Sequence, residues 1–265
     1  MNKYVIIREF SNPLMFMSLA SLLLSTFWPG PLVAQDRLVL VTPPNTIDTV
    51  ISEVITRKAY KRIGIDVEIQ KYPGERALRL ANSGNVDGEV QRINGIAANY
   101  TNLIQVFPAI NYIEGTVFSL QKNFQVKGWD SLQPYKIGYI RGIKFAERNT
   151  KNMDSIAVSD YTRLFEMLRK KRFDIIVSPR TNGLYQLKQQ GIDDIQELKP
   201  AIMRFDLFHY LHKKHIKLVP KISAVFAEME KRGELEEIRK RVISVVMQRA
   251  AQKLPICDTD YACFD

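Results

Sequence analysis

Three arginines, Arg92, Arg141 and Arg180, each follow a short apolar run: "VDGEVQ", "KIGYI" and "FDIIVSP". A guanidinium presents a planar fork of N–H donors that matches carboxylate or phosphate. Three such forks at the ends of buried strands, with no matching acid, favour an anionic solute. Thr42 and Asn45 lie in "VTPPNT", just before a helical pattern. Backbone donors at that start can hold an anion, or the two side chains can simply cap the helix. Tyr72 can wall a cleft or pack a core. Asp87 and Glu89 fall on one face of a strand, and a carboxylate pair can do acid–base work. His209, His212 and His215 in "HYLHKKH" stand three apart, a spacing that alternates faces on a strand and drifts on a helix, so it does not converge on one metal. The sequence has no Gly-x-Ser-x-Gly, no Cys–His pairing in its core and no phosphate-binding glycine loop. These residues point to binding without conversion: no enzyme, no cofactor, no metal.

The elements that must position them read as alternating strands and helices. "RLVLV", "IDVEIQKY" and "VDGEV" are strands by their apolar runs or alternation. Between them Ile47, Val50, Ile51, Val54, Ile55 and Ala59 fall at helical spacing, with Asn45 and Asp48 placed as a capping pair. "PGERALRLANSGN" makes a second helix between Pro73 and a stop at Gly84. This β-α-β-α-β order implies a parallel sheet with helices on its faces. A long β-rich stretch, Asn102 to Leu120, leaves that region, and the alternation restarts with "KIGYI", "SIAVS" and "FDIIVS". "AIMRFDLFHYLHKKH" reads as a return strand, followed by two helices with Val225, Phe226 and Met229, then Leu235, Ile238, Val242, Val245 and Val246, turned inward on the first lobe. The expectation is an α/β chain of two lobes, 35–118 with 207–265 and 119–206, whose two crossings make a hinge over a cleft. Parallel strand ends are where such folds hold ligands.

The chain has 265 residues, 46% hydrophobic and 25% charged, ordinary for a globular protein. "MNKYVIIREF" is basic, Leu14 to Phe27 is an uncharged apolar stretch of 14 residues, and Ala34 offers a small-residue exit. That is the pattern of an export signal, residues 1–34, and the stretch is short of the roughly 20 residues a spanning helix needs. Its removal takes away Lys3, Arg8 and Glu9 and leaves 36 basic and 27 acidic residues, a net charge of +9. The basic residues are scattered in "RKAYKR", "RKKR" and "HKKH", none of which makes a long block with interleaved aromatics, and this argues against nucleic-acid binding. The two cysteines, Cys257 and Cys263, close a small terminal loop when paired, as an oxidising exported compartment allows.

The order of elements, with "RLVLVTPP", "GERALRLANSGNVDGEVQRI", "SLQPYKIGYIRG" and "RFDIIVSP", resembles the extracellular solute-binding proteins of family 3, the type II periplasmic binding fold of ABC transporters. The resemblance covers nearly the whole chain after the signal, and it rests on order and spacing because each motif is short. It implies a periplasmic monomer that closes on a small polar solute and docks on a membrane permease or a membrane sensor. It also brings Ser178, just beyond the second-lobe strand, into the expected ligand set. Amino-acid binders of the family carry an arginine about a dozen residues past Val-Asp, an acid beyond that second-lobe strand and a Gly-Thr pair. Here those places hold Ala97 to Asn102 without arginine, then Ser178-Pro179-Arg180, and Gly142-Ile143. These departures turn the expectation away from an ordinary α-amino acid. A sensory binding protein and a periplasmic dehydratase- or hydrolase-like enzyme are the alternatives this fold admits.

Overall fold

The structure, a computed structural model, describes residues 37–44, 46–257 and 261–264. The expected export signal and Asn45 lie outside the described residues. The chain order is β1 (Arg37–Thr42), α1 (Ile47–Arg62), β2 (Asp66–Lys71), α2 (Gly74–Asn82), β3 (Gly88–Ile93) and β4 (Leu103–Ser119). Then come β5 (Ile137–Ile140), α3 (Lys144–Asn149), β6 (Ser155–Val158), α4 (Tyr161–Arg169), β7 (Ile175–Pro179), α5 (Arg180–Gln190), β8 (Gln196–His212), α6 (Val219–Lys231) and α7 (Glu234–Ala251). Eight strands lie in the order β2-β1-β3-β8-β4-β7-β5-β6.

This order contains two parallel sets. β1 pairs parallel with β2 and β3, and β5 pairs parallel with β6 and β7. β4 and β8 join the sets as an antiparallel pair of 17-residue strands. Near one end β8 bonds to β3 through Leu207–Leu211, and near the other β4 bonds to β7 through Gly115–Phe118.

Each set has its own core. Leu38 and Leu40 of β1, Ile51 and Ile55 of α1, Phe226 of α6 and Val242 of α7 form one cluster. Phe118, Phe165, Leu168 and Ile176 form another, and Val117, Ile137 and Val177 a third on the opposite face of β4, β5 and β7. Burying each such side chain contributes about 1.5–3 kcal/mol. Local chemistry sets the helix limits. Asp160 caps α4 by accepting from the Arg163 amide, and Gly191, at φ +65°, ends α5 in a conformation that L side chains rarely adopt.

Two sequence expectations need correction. The cap of α1 is Thr46, whose hydroxyl accepts from the Thr49 amide, and Asp48 is instead buried within the first turn. In α6 Val225 packs half-buried on the core beside Phe226 and Met229 as expected, and Ile222 completes that face. Helix α7 packs on both α1 and α5, so it touches both sets rather than the first alone. Arg239 on its inward stripe reaches α1 and β4, as described below.

Asp87, just before β3, ties the first set together. Its carboxylate accepts from the Val39 amide at 2.7 Å, from Lys214 at 2.8 Å and from His215 at 2.7 Å. Burial pushes this carboxyl up, but the bonds from Lys214, Val39 and His215 together bring it below the usual carboxylate range. Cys257 and Cys263 form a disulfide. Among the described residues, no helix is long and apolar enough to cross a membrane.

Candidate functional site

Parallel pairing puts the C-terminal ends of β1, β2 and β3 on one rim and those of β5, β6 and β7 on another. The first turns of α1 and α5, which start from those rims, meet. The Asn182 Oδ1 accepts from the Ile47 amide at 3.2 Å, and the Thr181 hydroxyl donates to both carboxylate oxygens of Asp48 at 3.1 and 3.0 Å. Tyr161, the first residue of α4, reaches the Ser178 hydroxyl at 3.0 Å. Burial pushes its phenol up, and hydrogen bonds from Ser178 and Asn182 offset part of that rise. The first amides of α1 are therefore used by Asn182 and by Thr46. An anion at that helix start would have to displace Asn182.

Behind this contact runs a buried polar seam. Asp48 and Arg239 are 1% and 7% exposed and lie 3.4 Å apart. Burial pushes the Asp48 carboxyl up, and Arg239 and Thr181 pull it part of the way back. Arg239 also donates to Asn111 Oδ1 at 2.5 Å and to the Tyr112 carbonyl at 3.0 Å. Arg239 and Arg204 lie over the Tyr112 ring, 3.9 and 3.7 Å from its centroid. Asn111 donates to the Asp48 carbonyl at 2.9 Å and to the Ser52 hydroxyl at 3.0 Å. Ser52 in turn bonds Gln91 of β3, and Gln91 donates to the Thr49 hydroxyl at 3.2 Å. The seam links β3, α1, β4, α5 and α7.

The residues expected from sequence fall in different settings. Thr42 ends β1 fully buried, and its hydroxyl has no hydrogen-bond partner among the described residues. Tyr72 follows β2, bonds Gln70 at 3.2 Å and carries the Arg76 guanidinium 4.8 Å from its ring centroid. Arg92 lies within β3 rather than past its end. It pairs with the fully buried Glu89 at 2.8 Å and donates to the Gly74 carbonyl at 2.8 Å. Burial pushes the Glu89 carboxyl up to about 8 against the pull of Arg92. Arg180 opens α5 and holds Glu197 at 2.7 Å and Glu114 at 3.4 Å, on the two long strands. Arg141 follows β5 and is exposed. Two of the three arginines thus have acids of their own, which the reading of the charges had left out. Ser178 is fully buried, bonded to Tyr161 and to the Pro179 carbonyl.

Asn111, Thr181, Asn182 and Arg239 are not among the residues the sequence points to, and Asp48 enters there only as a helix cap. One signal was available. Leu235, Arg239, Val242 and Val246 form an i, i+4, i+7, i+11 stripe, and a cation on such a stripe requires a buried partner.

No model of a known protein family matches the sequence. A protein of Shewanella oneidensis with no described activity is 26% identical over 202 residues, spanning 72% of this chain and 75% of the relative. Among solved structures, the GluR0 ligand-binding core in complex with L-glutamate superposes with a TM-score of 0.66 at 12% identity, over 79% of this chain and 99% of that one. A histidine kinase sensor domain with similarity to periplasmic binding proteins gives 0.60 at 16% identity, over 78% and 96%. The substrate-binding protein of an amino acid ABC transporter gives 0.56 at 16% identity, over 76% and 96%. The fold is the two-lobed α/β fold of type II periplasmic binding proteins.

Proposed function

We propose that this chain is an exported solute-binding protein, with residues 1–34 removed near Ala34, that captures a small polar anion between two hinged lobes and presents it to a membrane partner without converting it. The lobes are 35–118 with 207–265 and 119–206, and the ligand set is Thr42, Asn45, Tyr72, Arg92, Arg141, Ser178 and Arg180. The observation that carries the reading is the fold itself: its neighbours are binding proteins whose chains are covered almost completely, and two parallel sets turn their strand ends toward each other. Ligands in open α/β sheets sit at such ends. The partner is an ABC permease, as for the transporter component above. A membrane sensor is the second reading, favoured by the kinase sensor domain among the neighbours.

The test is thermal unfolding of the mature chain with panels of organic anions, amino acids and polyamines. A ligand at a hundredfold excess over its Kd adds about 2.7 kcal/mol to the folded state. For a chain of this size that raises Tm by roughly 5–10 °C. The reading fails if no compound in any panel at millimolar concentration raises Tm, or if the compound that does is consumed on incubation.

A further inference from the structure

The face of the first lobe under α2 gathers aromatic side chains around one cation. Arg92 on β3 stands directly opposite Phe208 on β8, so both point from the same face of the sheet. Half-buried Tyr72, Ile96, Tyr100 and Phe208 pack on the core there. Beside them, a break in register between Val106 and Asn111 pushes residues 107–110 out of the ladder. Phe107 in that bulge remains 59% exposed while its ring meets Phe208 edge-on at 5.3 Å, and Ser223 of α6 donates to its carbonyl and pins the bulge. The exposed ring therefore keeps apolar surface in water beside Phe208, the residue that pairs with Arg92 across the sheet.

The polar half is short of acceptors. Arg92 Nε and Gln105 Nε2 are buried and have no hydrogen-bond partner among the described residues. The Tyr210 hydroxyl brings them into one neighbourhood, since it lies 2.8 Å from Gln105 Oε1 and 2.9 Å from the carbonyl of Ile93, next to Arg92, with one proton to give to either. Helix α2 starts close against the same guanidinium: a Cβ on Gly74 would lie 3.3 Å from Arg92 Nη1. Two donors without acceptors, one of them on Arg92 itself, under aromatic edges, call for a carboxylate attached to a flat apolar body.

We propose that the solute is a small aromatic monocarboxylate, its carboxylate taken by Arg92 and Gln105 and its ring by Phe107 and Phe208, with Phe107 setting specificity. This assignment rests on the solute-capture reading and narrows it.

The test titrates the mature chain by calorimetry with benzoate, phenylacetate, cyclohexanecarboxylate, acetate, succinate and glutamate. The aromatic acids are expected to bind at least about tenfold more tightly than acetate. Phe107→Ala, an exposed change that leaves the core intact, is expected to weaken them roughly tenfold, the worth of a good aromatic contact. The assignment is overturned, with solute capture intact, if succinate, glutamate or another member of the wider panels binds and the aromatic acids do not. Unchanged affinity for the aromatic acids in Phe107→Ala overturns it equally. Silence from every compound overturns both this assignment and the capture reading.

Discussion

Replacing Arg239 by Met tests whether the polar seam holds the two halves of the structure together. Met keeps most of the stem volume and removes the cation 3.4 Å from Asp48, whose side chain is 1% exposed. Left alone, that carboxyl takes a proton sooner than stay charged. Protonating a group of ordinary pKa near 4 at pH 7 costs about 4 kcal/mol, which bounds the charge penalty from above. The orphaned Asn111 Oδ1 and Tyr112 carbonyl, both acceptors for Arg239, add about 1–3 kcal/mol. The expected loss at neutral pH is about 3–5 kcal/mol, the range for breaking a buried pair. The sign with pH follows from the folded carboxyl being raised: the folded variant holds its proton more firmly than the unfolded chain, so acid favours it. The penalty should shrink by about 1.4 kcal/mol per unit as pH falls from 7 toward 4. Urea unfolding at several pH values reads both quantities, and Asp48→Asn combined with Arg239→Met should recover much of the loss. A loss under about 1 kcal/mol with the parent's pH slope would refute the argument.

Two further outcomes follow from buried groups. Glu89 has its carboxyl raised to about 8, so its contribution is full below about 4.5 and is lost as pH rises toward 8. Glu89→Gln should flatten that decline between about pH 4.5 and 8, which is of the order of 1 kcal/mol per pH unit, and an unchanged profile would remove Glu89 as its source. The last outcome concerns Gly183 in α5, where a Cβ would lie 2.3 and 2.5 Å from ring atoms of Phe118. Gly183→Ala gains helix propensity but should still destabilise by about 1–3 kcal/mol, and a raised Tm would show that the ring has room to move.

Most of the backbone was legible because it follows local rules. The apolar runs of β1 and β7, the stripe of α4 and the glycine stop after α5 each sit within one window of sequence. The site was less legible because its partners are distant. Glu197 and Glu114 lie 17 and 66 positions from Arg180, and Arg239 lies 191 positions from Asp48. Nothing local tells a reader which acid will meet which arginine. Arg92 was read as standing beyond a strand because "VDGEV" looks complete. The ladder in fact runs on through a bulge between Glu89 and Arg92, which turns both side chains under α2. Phe107 passed unnoticed for a related reason: an aromatic before a proline in a β-rich stretch reads as core, and only the break in register exposes it.

The chemistry at the meeting of the two rims bears on how a cleft there can open. A seam of packed apolar residues would often be as stable as an ion pair with its hydrogen bonds, or more so. It would also resist separation, since each exposed side chain would cost the full hydrophobic term. Further along α5, Tyr185 packs in the apolar core that α1 also lines, while the first turns of α1 and α5 meet through hydrogen bonds, Thr181 to Asp48 and the Ile47 amide to Asn182. Water can replace such partners, and the net worth of each bond is only about 0.5–1.5 kcal/mol, more where a charge takes part. Parting the rims, as the capture reading requires, would cost a few kcal/mol for these bonds besides the exposure of Tyr185, and a solute's differential affinity would have to meet that gap. Arg239 stays with Asn111 and the Tyr112 carbonyl on β4, so the counter-charge for Asp48 remains anchored to a strand shared by both halves while Thr181 leaves. The buried charge is thus kept paired in either state. This gives a physical reason for placing an ion pair, rather than a leucine, beside the crossing strands.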